Sequence, residues 1–442
     1  MKIWEKNIPT NQKIEAFTVG ADTYYDMFLA PYDIIGSLAH IKMLRKIQLL
    51  EEEEYELLVK ELKNIYALIQ EEKFEITGNA EDVHSMVEWL LTEKLGSIGK
   101  KIHAGRSRND QVLVDLQLMF RDEIKTIVES IEVLFKQLMS LADQHRDVLM
   151  PGYTHLQAAM PSSFGLWFSA YAENLIDDLS VWKSAFTTID QNPLGSGAGY
   201  GTSLPLDRTY TTELLGFKTL AYNVVHAQMG RSRSELFLSY ALSATANTLG
   251  KLAMDVCLYN SQNFGFIKLD DAFTTGSSIM PHKKNPDVFE LVRAKCNRIG
   301  QLPGLISGAF GYLPSGYHRD FQLLKESVFP AIAEIKSCLD IVTLALQNIT
   351  VQVDLMNDAR YRLTFSVEVV NHLVNQGVPF REAYQQVAKD IQQGSFTPPL
   401  KLDHTHEGSI GNLCLPEIKQ KMSEAIQLFD FSYLEKIKKL LG

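Results

Sequence analysis

From residue 110 to about 147 neither glycine nor proline interrupts the chain, and Val112, Leu116, Met119, Ile127, Ile131, Leu134, Leu138 and Leu141 fall on steps of threes and fours. That period predicts one long amphipathic helix, about 55 Å long at ~1.5 Å per residue. The same pattern recurs over 162 to 190, 232 to 262, 286 to 312 with a break near Pro303, and 322 to 347. Alternating strand patterns are nearly absent. The expected fold is therefore all-α, with a central bundle of five long helices. Shorter helices precede it, one of them around EEEEYELLVKELKNIYALI, where the glutamates read as a solvated face and first-turn charges. Beyond Asp354 a smaller helical region follows, in which Gly377 and Pro379 punctuate a new helix. Three segments result: an N-terminal helical domain over 1–105, the long-helix bundle over 106–354, and a small C-terminal helical domain over 355–442.

Composition narrows the function classes. At 442 residues with 45% hydrophobic side chains, the chain can bury sizeable cores. Its net charge of -10 comes from interleaved acids and bases, so a general basic surface for nucleic acid is not expected and any anion site must be local. The start, MKIWEKNIPTNQK, has no apolar run of signal-peptide length, and no later stretch would span a bilayer. A cytoplasmic protein without membrane contact is the expectation. Cys257, Cys296, Cys338 and Cys414 lie far apart without a CxxC pair, which argues against a disulfide framework and against zinc.

Several stretches between the helices are denser in polar groups than a bundle needs. They are EDVHSMVE (81–88), HAGRSRNDQ (103–111), PGYTHLQ (151–157), GSSIMPHKKNPD (276–287) and SGYHRDFQLLKE (315–326). Each has a structural reading. Ser107 or Asn109 could cap the long helix, with Asp110 favoured by its dipole, and His155 could be an ordinary loop histidine. Asn285 before Pro286 looks like an N-cap and first helical turn. The glycine-rich GSGAGYG (195–201) has no preceding strand and no GK[ST], so it reads as a turn rather than a phosphate loop. His404 and His406 lack a third ligand. What capping leaves over is a flexible 276–283 segment with hydroxyls and Lys283, suited to holding a carboxylate.

Geometry adds a constraint. Asn109 and His155 flank opposite ends of a helix about 55 Å long, so they cannot share one site within one chain. An oligomer that sets the start of one helix beside the end of another would let them meet.

GSSIMPHKKNP resembles the signature of the fumarase/aspartase superfamily, and EDVH, GRSRNDQ, PGYTHLQ and TGSSIMPHKKNPD together resemble its argininosuccinate lyase family, over most of the chain. The resemblance implies a helical homotetramer with active sites shared between chains, no metal and no cofactor. Its implied reaction is reversible elimination of fumarate from argininosuccinate to give arginine. It further implies Ser277 as the base that removes the Cβ proton, with Ser278 as the alternative. Lys283 and Asn285 would then hold the carboxylate, with His155 on the leaving-group side and Glu290 as its carboxylate partner. His84, Ser107, Arg108, Asn109, Thr154, Tyr317, Gln322 and Lys325 would lie in or near the substrate. Four positions depart from the family pattern: Asp22 stands at a serine position, Val224 and Ser232 replace a serine and an aspartate, and Tyr384 replaces a common histidine. Another fumarate-releasing lyase, or a non-catalytic structural protein of crystallin type, are the alternatives this leaves.

Overall fold

The computed structural model describes residues 12–77, 80–398 and 402–442. The reading of the chain start as leaderless falls on residues 1–11, which lie outside the described residues, apart from its last two positions. The longest helices before the bundle are α1 (Ala30–Lys46), α2 (Glu52–Gln70) and α3 (Val83–Leu95). The long helices follow: α4 (Arg108–Gln144), α5 (Phe164–Ile189), α6 (Gly230–Tyr259), α7 (Asp287–Ile299), α8 (Leu302–Phe310) and α9 (Leu324–Leu346). All lie within a few residues of the periodic segments. The expected break near Pro303 is the α7–α8 junction, because proline sits in the first turn of α8, where its missing N–H costs nothing. At the start of α2 the acidic run forms a reciprocal cap between Glu51 and Glu54.

One apolar core runs through the bundle and includes Phe120, Ile131, Phe168, Trp182, Leu242, Leu249, Ile335 and Leu339. Helices α4 and α5 approach closely at Gly165, where an added Cβ would stand 3.1 Å from Ala142 O of α4 and 2.8 Å from Arg146 Cα just beyond it. A second core lies among α1 to α3 around Leu38, Leu58, Leu62 and Val87. No helix among the described residues is long and apolar enough to cross a membrane.

PGYTHLQ is not the loop its composition suggests. Leu149–Thr154 (β1) and Gln157–Ser163 (β2) form an antiparallel hairpin with a register shift at Gly152/Tyr153. Proline and glycine mask the strand signal, and the turn carries none of the usual Asn-Gly chemistry. Instead His155 (φ 54°) and Leu156 (φ 58°) occupy the left-handed region.

Three helices define the long axis. The starts of α4, α6 and α9 bring Asn109, Arg231 and Lys325 to one cleft. The opposite ends of α6 and α9 lead to a short antiparallel pair, β3 (Ile267–Leu269) and β4 (Ile349–Val351). Tyr153 of the hairpin meets Phe264 and Phe266 there, with ring centroids 5.4 and 6.1 Å apart.

Candidate active site

The expected site residues divide between these two ends. At the cleft end are His84, Arg108, Asn109, Tyr317, Gln322 and Lys325, together with Asp22, Asp26, Glu81, Asp82, Val112, Arg231 and Arg319. The cavity measures about 160 Å³, below the roughly 300 Å³ at which ligand pockets begin. At the far end are Thr154 and His155 on the hairpin, and Ser277, Lys283, Asn285 and Glu290 after β3.

The cleft is ordered by charge pairing. Ser107 caps α4, accepting from Asn109 N at 3.3 Å, while Asp110 reaches back to Ser107 N at 2.8 Å. Of the two residues considered for the cap, Ser107 takes it, so the Asn109 amide stays available to the cleft. Asp110 also receives Gly195 N and Gly197 N, both at 2.9 Å, which gives the glycine-rich turn a structural task. Arg108 is held by Glu81 at 3.1 Å, Asp82 at 3.3 Å and the Ser85 hydroxyl at 2.6 Å. Gln322 donates to the carbonyls of Thr18 (3.1 Å) and Val19 (2.9 Å). Lys325, 4% exposed, lies between the carboxylates of Asp22 and Asp26, and Asp26 also accepts from Val83 N at 3.2 Å. Burial alone would lower the Lys325 pKa, but these two carboxylates raise it above the usual lysine value.

His84 is set deepest. Its Nδ1 is 2.7 Å from Asp33 Oδ1 and 3.6 Å from Asp115 Oδ2. Burial would strip its proton, yet Asp33 and Asp115 overcome that and push its pKa up to about 10. Burial and the neighbouring Asp33 also hold the Asp115 carboxyl well above the usual range. Asp33 and Asp115 were missed from sequence, although an acid inside an apolar helical run (VLVDLQLMF) is the signal that could have found Asp115. A histidine whose folded pKa exceeds its unfolded value of about 6.5 stabilises fully below that value, and the contribution is lost as pH rises through about 10. Stability should therefore fall between pH 6.5 and 10 by at most about 1.4 kcal/mol per pH unit per chain. Urea unfolding of wild type and His84→Gln across that window checks this, since the variant should have the shallower slope.

At the far end the loop is open and built from main-chain bonds. Thr275 N donates to Asn285 O (3.1 Å) and Asn285 N to Thr275 O (2.8 Å). Asn285 is thus not the N-cap expected from sequence. Pro286 stands at the boundary of α7, and the bridge to Thr275 fixes Asn285 before the helix begins. Ser277 Oγ accepts from Ile279 N (3.3 Å) and Met280 N (3.1 Å). Lys283 and Glu290 are exposed, as is the hairpin turn, with Leu156 at 75% and Ile279 at 83%. Non-glycine residues at positive φ carrying an exposed leucine are costly in an isolated chain.

Of the departures from the family pattern, Asp22 lines the cleft and Ser232 follows its Arg231. Asp22 pairs with Lys325, Asn223 caps a short helix, accepting from Val225 N at 2.9 Å and His226 N at 3.1 Å, and Ser232 (φ 63°) forms the kink at the start of α6. Tyr384 is exposed, and His404 Nε2 lies 3.1 Å from Glu368. The four cysteines are free.

A helical bundle with a polar cleft at one end and a cationic serine loop at the other defines a lyase of the fumarase/aspartase superfamily, and the family model described as Lyase matches residues 2–300. The chain is 54% identical over 442 residues to the argininosuccinate lyase of Phocaeicola vulgatus, covering 100% of this chain and 99% of that one. Against the argininosuccinate lyase of Thermotoga neapolitana it is 39% identical over 388 residues, with 88% and 98% covered. It belongs to the argininosuccinate lyase family. Among solved structures, an EDDS lyase in complex with formate has a TM-score of 0.76 at 22% identity, covering 95% of this chain and 92% of that one. A class II fumarase from Schistosoma mansoni has a TM-score of 0.67 at 18% identity, covering 93% and 95%.

Proposed function

We propose that this protein cleaves argininosuccinate reversibly into arginine and fumarate, the last step of arginine biosynthesis, as a cytoplasmic homotetramer. Full-length similarity to argininosuccinate lyases is the observation that carries this reading. The residue chemistry at both ends of the bundle supports it.

Elimination requires loss of a Cβ proton beside a carboxylate, and the resulting aci-carboxylate carries additional negative charge that donors and cations must stabilise. Lys283 and the Asn285 amide are the groups for this, on a segment without an acid before Asp287. Ser277 is the base. A serine hydroxyl is a weak base unless its alkoxide is stabilised, and the two main-chain N–H groups already directed at Ser277 Oγ favour the anion. Ser278 has no such bonds among the described contacts, which favours Ser277. His155, oriented by Glu290, acts on the departing guanidino nitrogen, and Thr154 beside it contacts substrate. Asn109, Tyr317, Gln322 and Lys325 receive the rest of the molecule, with His84, Ser107 and Arg108 shaping the cleft.

A complete site needs a cleft from one chain and a hairpin and loop from others. Along α4, with 37 residues, the two ends stand about 55 Å apart. An assembly with antiparallel long helices brings them together and covers Leu156 and Ile279.

The direct test incubates purified protein with argininosuccinate, following fumarate by ultraviolet absorbance and arginine by chromatography, with adenylosuccinate, malate and aspartate in parallel. Release of both products from argininosuccinate alone is expected. Cleavage of a different substrate, or of none, would overturn the assignment.

A further inference from the structure

Sequence gives His404 and His406 no third ligand, and folding supplies a carboxylate from 36 residues upstream of His404. Glu368 stands in the first turn of α10 (Ser366–Asn375), with its Oε1 3.1 Å from His404 Nε2. Both side chains are largely withdrawn from water, His404 at 19% and Glu368 at 12% exposure, so their attraction is weakly screened. The His404 and His406 rings, two residues apart, lie on the same side of the chain with centroids 6.1 Å apart and planes 29° from parallel. Main-chain bonds fix the turn that carries them: Gly408 N donates to Asn412 O at 2.8 Å, Asn412 N to Ser409 O at 2.9 Å and Ser409 N to His406 O at 3.2 Å. Asn412 Nδ2 also donates to Thr405 O at 3.3 Å.

A histidine–carboxylate pair at this separation can share a proton or a cation. Two ligand atoms on one tetrahedral zinc ion, each about 2.1 Å from the metal, stand about 3.4 Å apart, so His404 Nε2 and Glu368 Oε1 are close to position for coordination. The second imidazole favours the cation. His406 is exposed and its ring has no hydrogen-bond partner among the described residues, so a side-chain rotation can bring it to the pair at little cost. Local charge agrees. Residues 402–413, LDHTHEGSIGNL, include Asp403 and Glu407 but no lysine or arginine, and among the described residues no lysine or arginine pairs with Glu368. Two imidazoles and one carboxylate suit a borderline divalent ion such as Zn²⁺ and leave its fourth position to water, whereas Mg²⁺ prefers oxygen ligands.

We propose that Glu368, His404 and His406 form a binding site for a zinc-class transition-metal ion, which ties the 404–412 turn to α10. None of the three lines the cleft or belongs to the 276–285 loop, so the ion has a structural task and no step of the elimination. Because the ligands come together only in the folded chain, binding raises stability by linkage.

The test takes the full chain, strips it with EDTA, dialyses it and titrates it with Zn²⁺ by calorimetry, with Mg²⁺ as the control. Wild type should bind Zn²⁺ saturably at this site, give no saturable heat with Mg²⁺, and melt at a higher temperature when Zn²⁺ is present. His406→Gln is the decisive variant, because an exposed ring without hydrogen bonds can be replaced with little effect on the fold. It should weaken Zn²⁺ binding by at least about tenfold, since losing even a group that supports a ligand costs about 10- to 100-fold. His404→Gln, which keeps an amide donor for Glu368, and Glu368→Gln should weaken it at least as much. Absence of saturable Zn²⁺ binding, or Zn²⁺ that binds wild type and all three variants equally, would leave His404 and Glu368 as an ion pair only and overturns the proposal. Weakening in the other two variants but not in His406→Gln would equally overturn the three-ligand site. None of these outcomes depends on the proposed reaction.

Discussion

Ser277→Ala is expected to lower kcat for argininosuccinate by about 10²- to 10⁴-fold, the range typical for removing a positioned base, while the protein stays folded and assembled. The structure explains why the damage should be confined to chemistry. Ser277 is a half-buried residue of the 276–285 loop, and its hydroxyl accepts two main-chain bonds from Ile279 and Met280. Alanine removes that acceptor and leaves the Thr275–Asn285 bridge that anchors the loop. Those two N–H groups are solvent-accessible and can bond water instead, so the cost in stability is small. Steady-state kinetics with sedimentation on the same sample checks both halves. Near-normal kcat in the variant would move the base role away from Ser277, and Ser278→Ala would then be the variant to measure. A kcat loss with unchanged KM would place the lost interaction in the transition state rather than in ground-state binding.

Mixing two inactive variants should restore activity. Asn109→Ala damages the cleft end and His155→Ala the hairpin end, and each alone should lose turnover by about 10²-fold or more. In hybrids formed by unfolding and refolding the two together, some sites pair the intact cleft of one variant with the intact hairpin of the other. Those sites contain no altered residue, so a substantial fraction of wild-type activity should return only after mixing. A mixture that stays as inactive as its components would place the site within one chain and remove the argument for an assembled one. The expectation depends on distance alone: Asn109 stands on the first turn of the 37-residue α4, and His155 on a hairpin that begins beyond its last turn.

Much of the bundle was legible because its cause is local. Apolar side chains at steps of three and four must share one face of a helix, and α4 needs no tertiary information to be found between Ser107 and His145. The reciprocal cap of Ser107 and Asp110 is equally local, as is the role of Pro303 at a helix start. The polar stretches that carry the candidate chemistry were visible for a related reason, since a bundle has no packing use for hydroxyls, lysines and amides placed so densely. The length of α4 even required that Asn109 and His155 belong to different ends.

What sequence could not decide depends on partners distant along the chain. Residues around PGYTHLQ do not alternate in polarity, so the hairpin emerges only from main-chain pairing between 149–154 and 157–163. Asn285 has the composition of an N-cap, but pairing with Thr275 takes it out of the helix. The same holds for charge. Nothing near His84 in sequence announces Asp33 and Asp115, 51 residues upstream in one case, yet together they keep its imidazole protonated. Lys325 reads as a free cation until Asp22 and Asp26, about 300 residues away, close around it. Sequence by itself determined where the helices run and which residue types are left over for chemistry, because both follow from short-range periodicity and burial. The protonation and charge balance of the site were decided only by the tertiary structure, because an ionisable group answers to whatever folding brings within a few ångströms of it.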